Sequence, residues 1–487
     1  MSPSTLRYLP LALAALASLA LAGCASVSPD GLRSNVNEHT QSRLPADARL
    51  PSTDAKAQEQ AQQHISRWLA QPVDADTAVR IALLNNPGLQ AQLAELGVQD
   101  AQRVQALTLP NPSFSFGRFR NPDEREIERQ LSFGLVNIIT LPWRTRWLGW
   151  QLEQATLTSA QQVLRVAADT RRAWLRAVAA QQVLTANERM QEAASLGAEL
   201  AQRMGKVGNF NKLDQAREIA SQQQATAQLA RARLNATLER EQLARQMGLW
   251  GQQLTFSLPA QLPALPASAA DLRSSDDVEA TALRQRLDLG ALRRDLEVTA
   301  QRSGWAGVGA VFGDIGASFS NNTSGPRNPG SGEHSTKTLG WELDLPLPIF
   351  DWGSAARGMA QNQFTRSAAL LRDNALRARS EARGSWLRYR TAWDLAHQQH
   401  TEVLPLAQLV QDETVLRYNG MFVSVWQLLA QARATTQAVA TATEAQRDFW
   451  LAHTDMQLAL TSTSPGAFAA TAVSASPANS SNPEQGH

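Results

Sequence analysis

A single cysteine, Cys24, serves the whole 487-residue chain, so no intrachain disulfide and no thiolate metal cluster holds it together. After one apolar run near the N-terminus there is no stretch long enough to cross a bilayer as a helix. With a mean hydropathy of −0.30, helical membrane spans are excluded. Charge of one sign is not in excess either: 46 Lys and Arg face 44 Asp and Glu, a net of +2. The arginines are interspersed with Glu, Gln and Ala and read as solvated helix faces, not as a nucleic-acid patch. No nucleophile elbow or P-loop is present. Gly307-Val308-Gly309 with Gly313 has the wrong spacing for a dinucleotide fingerprint and suits a strand needing small residues. His397 and His400 stand one helical turn apart, but no third ligand follows from spacing, so an exposed polar face is the simpler reading. No methionine cluster exists to chelate copper. Neither an enzyme, a metal site nor a cofactor is expected.

What is there begins with an address. Arg7 precedes an apolar run from Tyr8 to Ala22, which ends in Leu21-Ala22-Gly23-Cys24. Residues 1–23 read as a secretory signal, and the Leu-Ala-Gly-Cys order resembles the bacterial lipobox. That resemblance implies a diacylglycerol-modified Cys24, with Ala25 favouring sorting to the outer membrane. The other reading is a chance cysteine inside a cleavable signal.

The mature chain reads twice. Ala82-Leu83-Leu84-Asn85-Asn86-Pro87-Gly88-Leu89 returns as Ala282-Leu283-Arg284-Gln285-Arg286-Leu287-Asp288-Leu289, Leu96-Gly97-Val98 answers to Leu296-Glu297-Val298, and Gly208-Asn209-Phe210 matches Gly420-Met421-Phe422. One duplicated architecture is implied. Between Pro142 and Pro259 there is no proline, and Ala, Gln, Leu, Arg and Glu dominate, so long helices are expected. The break at Gly205-Lys206-Val207-Gly208-Asn209 makes this stretch a hairpin with arms of about fifty to sixty residues, roughly 75–90 Å long at 1.5 Å per residue. Leu229, Ala236 and Leu243 recur seven apart beside Ala225 and Ala232, a coiled-coil seam. The second copy repeats the plan from Ser354 to Thr463, turning at Tyr418-Asn419-Gly420, and Pro405 is expected to bend its first arm.

Ahead of each hairpin the period changes. Ile127, Arg129, Leu131, Phe133 and Leu135 alternate with Glu128, Gln130, Ser132 and Gly134; Leu339, Trp341, Leu343 and Leu345 alternate with Thr338, Gly340, Glu342 and Asp344. These are two-faced strands. Their expected partners are 113–119 and 306–320, across polar loops at 120–126 and 321–336. Four such strands cannot close a barrel, and an open edge cannot face lipid, so other copies must complete it. Two copies supply eight strands and a filled interior; three supply twelve and a lumen. Glu128, Gln130, Glu342 and Asp344 would then face water and Leu131, Phe133, Trp341 and Leu343 lipid. The competing reading is a half-exposed sheet of a soluble protein.

The Asn86-Pro87 element, the run Leu345-Pro346-Leu347-Pro348-Ile349-Phe350-Asp351-Trp352-Gly353 entering a long helix, and the paired Gly208 and Gly420 tips together resemble the TolC-type outer-membrane efflux family. The resemblance implies a mixed α+β membrane protein: a homotrimer with a twelve-stranded barrel, and long helical hairpins forming a periplasmic tunnel. It implies a Gram-negative outer-membrane location, a periplasmic adaptor and an inner-membrane pump of RND type as partners, and passive conduction of cargo such as drugs or metal ions. The duct of a type I protein secretion system, or a non-conducting periplasmic coiled-coil lipoprotein, are the alternatives. In the family, positions six and nine after the second tip glycine can gate the pore. Here they are Trp426 and Leu429, an apolar pair that suggests dewetting, unless Trp426 merely packs between helices. Asp214, with Gly208 and Gly420, marks the tips and a possible adaptor contact. The segmentation expected is 1–23 signal, 24–75 lipidated periplasmic segment, 76–256 first repeat, 257–275 Pro/Ala linker, 276–463 second repeat and 464–487 disordered tail.

Overall fold

The computed structural model describes residues 26–466 apart from 53, 110, 121–123, 313–314, 327–333, 346, 348 and 351. Cys24, the 1–23 signal and the tail from 467 onward lie outside the described residues. Among the described residues no helix is long and apolar enough to cross a membrane.

The chain runs α1 (Arg33–Thr40), α2 (Ala55–Leu69), α3 (Ala75–Asn85), α4 (Pro87–Leu107), β1 (Ser113–Arg120), β2 (Glu124–Gly134), a short α5 (Val136–Ile139), α6 (Leu141–Lys206) and α7 (Lys212–Gln246). The second copy gives α8 (Val278–Gln285), α9 (Leu287–Phe312), β3 (Gly316–Pro326), β4 (Thr336–Asp344), α10 (Ser354–Gln398), α11 (Leu404–Asn419) and α12 (Val425–Thr461). Two helices therefore precede each β-hairpin, an elbow that periodicity alone did not separate from the rest of the repeat. The stretch 26–75, read as merely polar, holds α1 and α2, which bury Val36 and Ile65. Arg43 straps this segment to the second copy, donating to the carbonyls of Thr461 (2.7 Å) and Gln285 (3.0 Å).

Three sequence expectations are corrected. The partner strand expected at 306–320 is displaced: α9 continues to Phe312 and β3 occupies Gly316–Pro326. The Trp305 ring lies tilted against Trp143, centroids 4.4 Å apart, which holds the end of α9 against the start of α6 and delays the strand. The hairpin arms are also unequal, 66 and 35 residues in the first copy. In the second, the 45, 5 and 16 residues of α10, a π turn and α11 add up to the same 66 as α6, against 37 in α12. At 1.5 Å per residue the long arms span about 100 Å. The π turn, Gln399–Val403, directly precedes Pro405 and absorbs the missing N–H and the ring, so the expected disruption takes that form.

The second arm ends early because Gly248 leaves the helix at φ +69, and a Cβ there would lie 2.4 Å from the Asn85 carbonyl oxygen. That close approach lets the elbow dock on the arm. Asn86 caps α4 by accepting from Leu89 N–H, with Pro87 at the position where no N–H is needed. Its Nδ2 donates to the Gln246 carbonyl (2.8 Å), and Asn85 Nδ2 donates to that of Gly248 (2.7 Å). In the second copy the same junction is ionic. Arg286, 2% exposed, donates to Asp288 and to Glu381 (2.6 Å), and reaches the Ala459 carbonyl at the end of α12. Both elbows thus cap the last turn of a returning arm, where carbonyls lack helical partners. The apolar core lies at this level, where α3, α4, α8 and α9 pack on the long helices around residues such as Leu83, Leu89, Val163 and Phe449.

Arg286→Met leaves two largely buried carboxylates without their cation and is expected to cost about 3–5 kcal/mol in urea unfolding. Replacing Asp288 and Glu381 by their amides in the same chain should recover most of it; a loss near zero would remove the ion pair from this role. His453 gives a second test. Burial among Tyr389, Phe449 and Trp450, then the nearby Arg171 charge, bring its pKa down to about 4. The folded chain keeps it neutral while the unfolded chain protonates from about pH 6.5 downward, so this contribution is present above that pH and lost as pH falls towards 4. The melting temperature of His453→Gln should decline less than that of the native chain between pH 7 and 4.5; parallel declines would contradict the assignment.

Candidate functional site

The four strands form one antiparallel sheet in the order β1-β2-β3-β4, so the duplication is joined where β2 meets β3. Ser113 pairs with Ser132, Leu131 with Phe319, and Phe319 with Trp341. Because directly opposed residues share a face, the register sorts every described strand residue. One face carries Phe114, Phe116, Leu131, Phe133, Phe319, Leu339, Trp341 and Leu343, with Arg118, Arg120, Arg125, Arg129 and Lys337 towards the β-turn end. The other carries Ser, Thr, Asn, Gln and Gly with Glu124, Glu126, Glu128, Glu342 and Asp344, and one aromatic, Phe119, opposite Glu126. Side-chain contacts confirm the parity: the Ser113 and Ser132 hydroxyls meet at 2.6 Å, and Ser318 Oγ donates to Glu342 at 3.4 Å. The segregation of charge is complete among the described strand residues, five cations on the apolar face and five carboxylates on the polar one. Trp341 is 80% exposed and both outer edges, β1 and β4, are unpaired in the single chain. Beyond β4 the apolar side chains of Leu347, Ile349, Phe350 and Trp352 are exposed as well.

The hairpin tips form the second region. α6 ends with Gly208 at φ +78; Asn209 N–H returns to the Met204 carbonyl, and Gly208 N–H to Gly205. The second tip repeats this pattern one residue later than the paired glycines suggest. Met421, not Gly420, adopts the left-handed conformation (φ +61), Phe422 N–H returns to Arg417 and Met421 N–H to Tyr418. The next helices then start three residues on, capped by Asn211 in one tip and by a Ser424–Gln427 capping box in the other. By geometry, Gly208 corresponds to Met421, Leu213 to Trp426, and Asp214 to Gln427. Asp214 lies in the first turn of α7, its N–H bonded to Asn211 Oδ1 (2.7 Å) and its carboxylate paired with Arg217 (3.1 Å).

Trp426 and Leu429 are half-buried against the first hairpin of the same chain. The Trp426 ring stacks on Phe210 at 4.7 Å and 29°. Leu429 fits over Gly197, where an added Cβ would lie 3.0 Å from Leu429 Cδ1. One turn further, Arg433 bridges α12 to Glu218 of α7 at 2.8 Å, both side chains at least three-quarters buried. Phe210 and the Arg433–Glu218 pair are the members of this cluster that sequence reasoning missed. Phe210 stood in the quoted tip, but no local signal says which hairpin a ring will meet. At the extreme end Met421 and Phe422 are 94% and 84% exposed. The histidine pair lies elsewhere: His397 stacks on Trp393 at 4.6 Å, and the His400 Nε2 is buried in the π turn without a hydrogen-bond partner. Among the described residues no three His, Cys, Asp or Glu gather as metal ligands.

No family model matches the sequence, and no curated protein is similar to it. Solved structures are. The Campylobacter jejuni CmeC outer membrane channel superposes with a TM-score of 0.65 at 15% identity, covering 87% of this chain and 91% of that one. The outer membrane protein VceC of Vibrio cholerae gives 0.60 at 14% identity, with 84% and 98% covered. The open state of the Neisseria gonorrhoeae MtrE outer membrane channel gives 0.60 at 15%, with 79% and 88% covered. The chain has the TolC-type outer-membrane channel fold.

Met421 is a non-glycine residue held in left-handed backbone, a strain of about 1 kcal/mol. Met421→Gly should stabilise the second hairpin by roughly that amount in thermal unfolding, whereas Gly208→Met should destabilise the first. Equal and opposite effects at Gly420 and none at Met421 would refute the one-residue offset.

Proposed function

We propose that this chain is the outer-membrane exit duct of a tripartite efflux pump. Three copies close their four-stranded sheets into a twelve-stranded barrel, and their hairpins form a tunnel of about 100 Å that meets a periplasmic adaptor and an inner-membrane pump of RND type. The observation that carries this reading is the sheet. Its apolar and acidic faces are separated apart from Phe119, and its edges are free, as a lipid-facing barrel with a watery lumen requires. Lipid on Cys24 would fix the N-terminus to the same membrane. The exposed Met421 and Phe422 supply an apolar tip for the adaptor, with Gly208 and Asp214 on the neighbouring tip. The duct has no catalytic chemistry of its own, and its cargo, drugs or metal ions, is selected by the pump.

In this reading Trp426 and Leu429 set the closed tip by holding the second hairpin against Phe210 and Gly197 of the first, and the Arg433–Glu218 bridge reinforces the seam. An apolar seam at a constriction also resists wetting. The type I secretion duct shares the architecture and differs in partner; the non-conducting spacer differs in having no pore.

The test is electrical. Purified full-length protein in planar bilayers should give discrete channels and, unheated, a trimer-sized band from the outer-membrane fraction. Trp426→Ser with Leu429→Ser should raise the conductance or open probability several-fold. Absence of any channel would sink the duct and favour the spacer; native-like currents in the double variant would sink only the gate.

A further inference from the structure

Five cations share the lipid-facing side of the sheet with no carboxylate among them. Arg120 and Arg125 are directly opposed across β1 and β2, and Arg118 and Lys337 flank Ile127 and Thr323 in one row; Arg129 lies a row nearer the helices. Four of the five are exposed and none forms an ion pair or side-chain hydrogen bond among the described residues. Among the described residues the acids of β2, Glu124, Glu126 and Glu128, alternate with the cations along the strand and therefore point to the opposite side of the backbone. Opposed arginines repel unless an anion lies between them. Four of these cations also stand towards the end of the sheet away from the helices, with Arg129 midway: from Phe133 to Arg125 the strand rises eight residues, about 27 Å, across one apolar belt. Towards the helix end of that belt stand Trp341, Trp352 and the Trp143–Trp305 pair.

We propose that Arg118, Arg120, Arg125 and Lys337 form a docking surface for phosphate-bearing anionic lipid headgroups in the leaflet distal to the helices. The inference rests on the reading of the sheet as a barrel wall. Guanidinium forks match phosphate oxygens in pairs, and clustered cations at a bilayer surface attract anionic headgroups. The occupant is a lipid and not free phosphate because Phe116 and Leu339 continue the same face about 7 Å below Arg118 and Lys337, where acyl chains would lie. The opposite face offers carboxylates and excludes the same ligand.

Full-length protein purified in neutral detergent would be offered anionic phosphatidic acid and zwitterionic phosphatidylcholine, and bound lipid per chain counted by native mass spectrometry. The native chain should prefer the anionic lipid at least about tenfold. Replacing Arg118, Arg120, Arg125 and Lys337 by Gln should abolish that preference, Arg→Lys at the three arginines should keep most of it, and Gln at Glu124, Glu126 and Glu128 should leave it unchanged. Millimolar inorganic phosphate should not displace the lipid; displacement would mean a free-anion site and overturn the proposal. A native chain that inserts into phosphatidylcholine vesicles yet shows no preference, or a four-Gln variant that keeps it, overturns this inference alone. A native chain that enters no bilayer overturns the barrel reading with it.

Discussion

Everything in this chain answers to one constraint, the unpaired backbone at the two outer edges of a four-stranded sheet. Every N–H and C=O on the outer sides of β1 and β4 needs a partner, and in hydrocarbon each unsatisfied group costs several kcal/mol. The apolar face makes the need sharper, since Phe114, Phe116, Phe319 and Trp341 stand in solvent in the single chain. Addition of further copies edge to edge would satisfy the backbone and a surrounding bilayer the apolar face, and strand number then sets whether a lumen remains. β2 and β4 lead through short connections into α6 and α10, so whatever closes the strands also gathers the long helices into a bundle.

The two copies solve the same mechanical problems with different chemistry. Each elbow must hold the end of a returning arm. The first does so with the amides of Asn85 and Asn86 on carbonyls, the second with Arg286 clamped between Asp288 and Glu381. Each tip must reverse two helices, with Gly208 at no steric cost in the first and Met421 under strain in the second. The strain is thus retained at an exposed tip, beside Phe422 at 84% exposure.

The legible parts were those with a short period. Alternation at 127–135 and 338–345 gave β2 and β4 and the right face for Glu128, Gln130, Leu131, Phe133, Trp341 and Leu343. The seam of Leu229, Ala236 and Leu243 is buried as its spacing implied. The failures came where two periods compete or where a partner is distant. Ala306–Phe312 is glycine-rich and suits a weak strand, but a tryptophan pair across to α6 keeps it helical. Matching the tips by glycine placed Trp426 beside Asp214, because composition shows which residues can turn but not which one does.

By itself, then, the amino-acid sequence determined the repeat, the presence of long helical hairpins and the two faces of β2 and β4, because side-chain period and helix propensity act within a few residues. Only the tertiary structure decided that β2 pairs with β3 some two hundred residues away, that Trp426 rests on Phe210, and that Arg433 meets Glu218 across hairpins. Those contacts are won by packing and charge pairing between segments whose separation along the chain carries no local signal.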